Sequence, residues 1–266
     1  MYNVTMMFLN SAVPDQEAIK AGFRLGAKGT HSCRTIMLDE LNHLFANAEP
    51  GSNRAAYAAA IIEGNCLAKP TTSTRRLTNQ RLGELYGLDP SIPVFRIFRK
   101  LWELDKGGRP LLTLLCGIAR DPLLAATAPA IISLPAGADF LREPMKIALR
   151  AVVSDRLNES SLNKVIRNTA SSWTQSGHLQ GRTLKKRQIV HPNPVNIAFA
   201  LYLAHVAGFR GGDLLTSGWI TVLDCSPVLC RHLALEAKRQ GLLDLRMAGE
   251  VIEINLDRLD SESVGS

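Results

Sequence analysis

A stretch of helical periodicity, residues 160–175, places the strongest limit on what this chain can fold into. Its apolar residues recur at the spacing that puts them on one face of an α-helix. That face consists of Leu162, Val165, Ile166, Thr169, Ala170 and Trp173. A face of this width has to be buried, so we expect the helix to pack on a core, with Trp173 as an anchor in that core.

A glycine turn and a basic segment follow this helix. Gly177 ends the helical pattern, and residues 178–190 suit a short β-hairpin. A helix followed by a hairpin is the order of a winged helix. The order recurs near the end of the chain, where the helical stretch 226–240 precedes Gly241 and two alternating segments that indicate a hairpin with a glycine turn.

The rest of the chain indicates helices. Residues 34–48 and 93–104 carry apolar stripes at helical spacing, and residues 111–119 form a nearly continuous apolar run typical of a buried helix. We therefore predict a mainly α protein. Residues 1–157 are expected to form a multi-helix domain, and residues 158–266 to contain winged helix-turn-helix elements with short β-hairpin wings.

An absence of acidic residues distinguishes the region around this helix. The 53 residues from Ser160 to Gly212 contain seven Lys or Arg and no Asp or Glu, although the chain as a whole has 24 acidic residues among 266. A solvated surface normally mixes both signs. Phosphate binding explains the pattern, because carboxylates repel a polyanion while Lys and Arg displace its counterions.

These observations predict contacts with nucleic acid from the polar face of the helix and from the wing. The predicted contact residues are Lys164, Arg167, Asn168, Arg182, Lys185, Lys186 and Arg187. A second basic patch, residues 69–100, has seven cations against two acids. Within it, Arg75 and Arg76 stand at an expected helix N-terminus, which favours phosphate, and we predict them as secondary contacts.

The composition agrees with an anionic partner without identifying it. The net charge is +7 and the pI is about 9.3. Two other interpretations remain open: the basic face docks on an acidic protein, or it is a surface with no specific partner.

Motifs for catalysis are missing. The chain has no glycine-rich phosphate loop, no HExxH motif and no GxSxG motif, and we expect neither a cofactor nor a metal. Two carboxylate pairs, Asp39 with Glu40 and Asp155 with Glu159, leave a metal-dependent nuclease open. His31 has no carboxylate near it in the sequence, so we expect it to be structural.

The cysteines and apolar runs bear on location. Five scattered cysteines do not indicate a disulfide framework, and the first residues lack the pattern of a secretory signal. No apolar run suits a membrane span. We expect a cytoplasmic protein with free thiols and no membrane partner.

Three stretches carry a resemblance to a known family. They are FRLGAKGTHSCRTIMLDELNHLF, IIEGNCLAKPTTSTRRLTNQRLGELYGL and LLTLLCGIARDPLL. Together with the helix and GHL segment that follow, they resemble the A-component (BrxA) family of BREX phage-defence systems. In that family an Asn precedes a loop ending in two arginines; here Asn65 precedes Arg75 and Arg76, with Lys69 or Pro70 in place of a further arginine.

The resemblance implies a helical, partly winged-helix protein that binds DNA without catalysis and acts beside other defence-system proteins. Our first hypothesis is therefore a non-enzymatic component of a phage-defence system that docks on the phosphates of double-stranded DNA. An adaptor for an acidic protein, a transcriptional regulator and a nuclease are the alternatives.

Overall fold

The chain is mainly helical in the computed structural model, which describes residues 7–10, 15–248 and 251–260. The fold class is thus confirmed at this level. The twelve α-helices defined in these residues are α1 (Asp15–Ala21), α2 (Leu38–Ala46), α3 (Arg54–Ile62), α4 (Thr72–Tyr86), α5 (Pro93–Leu104), α6 (Arg109–Arg120), α7 (Pro122–Ile132), α8 (Arg142–Val153), α9 (Glu159–Gln175), α10 (Pro194–Val206), α11 (Gly218–Thr221) and α12 (Pro227–Arg239).

Two small antiparallel sheets follow helices α9 and α12. Strands β1 (Leu179–Gln180) and β2 (Lys186–Arg187) form the first hairpin. Strands β3 (Asp244–Ala248) and β4 (Val251–Asn255) form the second. Both predicted hairpins are therefore present, and the predicted glycine turn of the second one falls on Gly249, which lies outside the described residues.

A third stretch of backbone, residues 137–140, runs antiparallel beside β2. The Gly137 amide donates to the Arg187 carbonyl at 2.8 Å, and the Arg187 amide donates to the Ala138 carbonyl at 2.9 Å. The Phe140 amide donates to the Lys185 carbonyl at 2.8 Å. This stretch joins α7 to α8, so the start of α8 is tied to the hairpin β1–β2.

The buried apolar side chains form one cluster that extends from Phe8 to Leu259. Helix α6 lies inside it, with every residue from Leu111 to Arg120 buried, as its apolar run predicts. The cluster includes residues on both sides of the predicted domain boundary at residue 157, and the division into two domains stays a prediction.

Helix α9 has the buried face that its sequence predicts. The six residues of the predicted stripe are all buried, and Trp173 donates its indole N–H to Thr127 Oγ1 at 2.8 Å. Asn158 caps the helix by accepting from the Ser161 amide at 2.9 Å. Gly177 follows the helix with φ +88°, a backbone conformation that L side chains rarely adopt. Trp173 is thus confirmed as a core anchor.

A buried polar network fixes α9 to the N-terminal half. His31 Nδ1 lies 2.8 Å from Asp121 Oδ2, and His31 Nε2 lies 2.8 Å from Ser172 Oγ. Ser172 Oγ also accepts from the Ile36 amide at 3.0 Å. His31 thus has a carboxylate partner that its sequence neighbourhood does not show, because folding brings Asp121 to it from 90 residues away.

Ser172→Ala should destabilise the fold by about 2 to 4 kcal/mol, because it leaves the Ile36 amide and His31 Nε2 buried without a partner. Urea unfolding at pH 7 measures this. Ser171→Ala is the matched control on the same helix, since no hydrogen bond holds the Ser171 side chain among the described residues, and it should change stability by less than about 0.5 kcal/mol. Equal losses in the two variants would contradict the role of the network.

Candidate nucleic-acid interface

A groove separates helix α9 from the hairpin β1–β2 and has a volume of about 620 Å³. Helix α9 forms one wall, the loop between β1 and β2 forms the other, and the start of α8 closes one end. The lining residues are Phe140, Arg142, Ile166, Arg167, Ala170, Ser171, Gly181, Arg182, Thr183 and Lys185. We call this the α9–hairpin groove.

The charge in this groove has one sign. Four of the ten lining residues are cationic and none is acidic. Arg142, Arg167 and Arg182 are exposed and have no ion pair or side-chain hydrogen bond in the part of the chain that the structure describes. The groove therefore presents unneutralised cations to solvent.

Lys185 holds the hairpin against the helix. Its ammonium group donates to Thr174 Oγ1 at 2.8 Å and to the Gly181 carbonyl at 2.9 Å. Both acceptors are neutral, and burial lowers the pKa of Lys185 from its ordinary value. Burial removes water from the charged ammonium group, and an anion bound in the groove would stabilise that charge again.

Gly181 is required where it stands. Its φ of +118° is a conformation that L side chains rarely adopt, and a Cβ there would lie 2.0 Å from the Leu184 carbonyl oxygen. The tight turn that results sets the position of Arg182 and of the remaining hairpin tip.

The structure brings together several of the predicted contact residues. Arg167, Arg182 and Lys185 line the groove. Lys164 is exposed on α9, one turn before Arg167. Lys186 is exposed on β2 but has its ammonium group 3.8 Å from Asp139 Oδ1, so a carboxylate partly neutralises it.

Arg187 does not belong to the interface, contrary to the prediction. Its side chain is 1% exposed, pairs with Asp224, and donates from Nε to the Ile131 carbonyl at 3.0 Å. Alternation along a strand explains this orientation, because neighbours in a strand face opposite sides and exposed Lys186 leaves Arg187 facing the core.

Asn168 also serves the fold. Its side-chain amide donates to the His31 carbonyl at 2.8 Å, and the side chain is half-buried. Farther along the same side of α9, Gln175 Oε1 accepts from the Leu38 amide at 3.1 Å. Residues 31–38 thus cover this side of α9, and the accessible polar face is narrower than the sequence indicates.

The second predicted patch is largely neutralised. Arg75 donates to the Lys69 carbonyl and to the carbonyl of Ile62, the last residue of α3, and Arg76 is exposed. Neither lines the α9–hairpin groove. Four other cations of the patch meet carboxylates, in the pairs Lys69–Glu40, Arg81–Glu84, Arg96–Asp260 and Arg99–Glu103.

Arg142 is the cationic residue of the groove that the sequence analysis did not predict. It is the first residue of α8 and stands beside Glu143, outside the acid-free stretch. Because Glu143 balances its charge in the local sequence, Arg142 does not stand out as part of a basic segment. The pairing of residues 137–140 with β2 places it at the groove, and nothing in the local sequence announces that pairing.

The buried network has the residue types of a hydrolase triad without access for a substrate. His31, Asp121 and Ser172 are each 0% exposed. The Ser172 hydroxyl donates to the Asn168 carbonyl at 2.9 Å. Its proton is thus committed to a backbone acceptor within the helix, and the network fits a structural role.

Two of the four carboxylates considered for metal binding lie in ion pairs, and Asp39 is exposed. Glu40 pairs with Lys69, and Glu159 pairs with Lys146 and Arg150. The side chain of Asp155 lies outside the described residues. Within the described part of the chain, no group of three or more His, Cys, Asp or Glu side chains could hold a metal ion.

Among the described residues, no helix combines the length and apolar character needed to cross a membrane. Searches of protein-family models, of curated proteins and of solved structures find no match to the chain.

His178, three residues after α9, bonds to the residue that follows α11 and generates a pH prediction. Its Nε2 lies 2.7 Å from the Val222 carbonyl, and its Nδ1 lies 2.9 Å from Ser176 Oγ. Burial lowers the pKa of His178 to about 4, against the ordinary 6.5, and the hydrogen bond to the Val222 carbonyl and the charge of Asp224 only partly offset this. The unfolded chain therefore binds the proton more tightly, so stability falls as the pH drops from 6.5 towards 4.

From pH 7.5 to pH 5 this histidine should remove about 2 kcal/mol of stability. Urea unfolding at both pH values measures the loss, which should be smaller by about 2 kcal/mol in His178→Asn than in the wild type, even though that variant is less stable at pH 7.5. His232→Asn, an exposed histidine of α12, is the control and should keep the wild-type profile. An unchanged profile in His178→Asn would refute the assignment.

Proposed function

We propose that this chain is a non-enzymatic DNA-binding protein that docks on duplex DNA through a winged helix. The winged helix consists of α7, residues 137–140, α8, α9 and the hairpin β1–β2. The order helix, extended segment, helix, helix, hairpin supports this proposal, as does the pairing of residues 137–140 with β2.

The observation that carries the proposal is the carboxylate-free groove between an exposed helix face and a hairpin. The major groove of B-DNA admits an α-helix, and the sugar–phosphate backbone of one DNA strand separates it from the neighbouring minor groove. If α9 lies in the major groove and the hairpin in the neighbouring minor groove, the DNA backbone between the two DNA grooves must pass between α9 and the hairpin. That path therefore has to be cationic. Arg142, Arg167, Arg182 and Lys185 supply its positive charge.

Contacts of this kind give affinity without much sequence information. On the exposed face of α9, Lys164 and Arg167 reach phosphates or base edges, while Arg182 and Lys185 hold the strand from the hairpin side. Modest or absent sequence preference is therefore expected, which separates this protein from a transcriptional regulator with a defined operator.

The second hairpin has a different character. Helices α10 to α12 and the hairpin β3–β4 repeat the order of helices before a hairpin, and we propose them as a second winged-helix element. Its charges are mixed, because Arg258 Nε lies 2.7 Å from Asp244 Oδ2 and Arg246 pairs in register with Glu253. We assign it no contact with DNA.

The biological setting is proposed from the resemblance described above. We propose that the protein is a component of a BREX-like phage-defence system and works beside other proteins of that system. Because the His31–Asp121–Ser172 network is fully buried, we assign it a structural role in this proposal.

Binding to a random duplex across a salt series, followed by fluorescence anisotropy, tests the proposal. For the wild type, log K should fall by about 4 to 6 per log unit of salt. Arg142→Ala/Arg167→Ala/Arg182→Ala should make this slope shallower by about 2 to 3, because each phosphate contact contributes about 0.9.

The matched control, Lys20→Ala/Lys28→Ala/Lys106→Ala, removes the same charge from exposed lysines that do not line the groove. It should leave the slope within about 0.5 of the wild type. Failure of the wild type to bind at low salt would eliminate the DNA-binding function in favour of an acidic protein partner. Equal effects of the two triple variants would show that only net charge matters.

A further inference from the structure

The tip of the hairpin β1–β2 carries an apolar side chain in full contact with solvent. Leu184 is 83% exposed, more than any other large apolar residue of the described chain; Val228 follows at 76%. Leu184 stands between the two strands, in the loop of residues 181–185. Cations, a threonine and the Lys186–Asp139 ion pair surround this exposed leucine, so we look for a partner that accepts an apolar side chain beside positive charge.

The loop holds this leucine in a defined place. The Lys185 ammonium ties the start of the loop to α9 through the Gly181 carbonyl and Thr174 Oγ1. The Leu184 carbonyl packs closely against Gly181. The backbone on both sides of Leu184 is therefore anchored, and little further ordering is needed when the tip meets a partner.

The neighbours of Leu184 define the chemistry of that partner. Arg182 is exposed without an ion pair among the described residues, Lys186 is exposed but lies 3.8 Å from Asp139 Oδ1, and Lys185 faces the groove. A single leucine offers much less than the few hundred Å² of contiguous apolar surface that marks a protein docking site. Proteins that enter the minor groove combine cationic side chains with an apolar wedge, often Leu, Ile or Phe, which is inserted between base pairs.

We propose that Leu184 is a wedge that enters the minor groove and partly unstacks one base step. This inference rests on the proposed function, because it needs α9 in the major groove and the hairpin in the neighbouring minor groove. Arg182 lies against the wall of the minor groove, where its charge meets the phosphates. Insertion bends and untwists the duplex, so the protein changes the shape of the DNA that it binds.

Untwisting can be measured without knowledge of a preferred sequence. Relaxed closed-circular plasmid is incubated with the full-length protein, treated with a type I topoisomerase, deproteinised and separated on a gel. The wild type should shift the linking number in proportion to the protein bound. Leu184→Asn should reduce the shift per bound protein at least threefold, and Leu184→Ile should retain it because isoleucine also serves as a wedge.

Val228→Asn is the matched control, since Val228 is similarly exposed on α12, away from the groove, and it should behave as the wild type. Salt-dependent binding is measured for every variant in parallel. A wild type that binds with the expected salt slope but leaves the linking number unchanged would overturn the wedge and leave the proposed function standing. A wild type that does not bind duplex at all would remove both.

Discussion

The contact between the buried Asp121 carboxylate and His31 is the interaction on which the packing of the helices around α9 depends. The carboxylate is fully buried, accepts from the Leu123 amide at the start of α7, and accepts from both the backbone amide and the ring of His31. Burial alone would raise the pKa of Asp121, yet the His31 charge and these hydrogen bonds outweigh it and hold the pKa below the ordinary value. The carboxylate therefore stays charged, and it joins α7 to the turn that carries His31. Gly29 is part of the same design, because a Cβ there would lie 2.0 Å from Asp121 Oδ1.

The same network decides which side of α9 meets solvent. His31 reaches Ser172, and residues 31–38 then cover the side of α9 that holds Asn168 and Gln175. The opposite side, with Lys164 and Arg167, stays open and faces the hairpin across a carboxylate-free groove. The N-terminal half thus acts as a support that orients one helix, and the proposed DNA surface follows from that orientation.

Much of the fold follows from local pattern. Helical spacing predicts α9 and its buried face, and alternation predicts the hairpin β3–β4, because each signal lies within one short segment. The acid-free stretch likewise marks the region of the groove, because a segment without Asp or Glu can be recognised from its composition alone. Three of its predicted contacts, Arg167, Arg182 and Lys185, line the groove.

The remaining features depend on partners far away in the chain. Arg187 is buried because Asp224 meets it from 37 residues away, and His31 meets Asp121 from 90 residues away. Arg142 reaches the groove because residues 137–140 pair with β2. Composition and periodicity do not reveal contacts between residues far apart in the chain. A cation in a buried ion pair therefore cannot be distinguished in the sequence from one that faces solvent.

We propose above all that the phosphate backbone of one DNA strand occupies the α9–hairpin groove. A structure of the full chain bound to a short duplex tests it most directly. The account predicts consecutive phosphates of one strand within about 3 Å of the Lys185 ammonium and of the Arg167 and Arg182 guanidinium groups. DNA seated elsewhere on the surface, with this groove unoccupied, would contradict it.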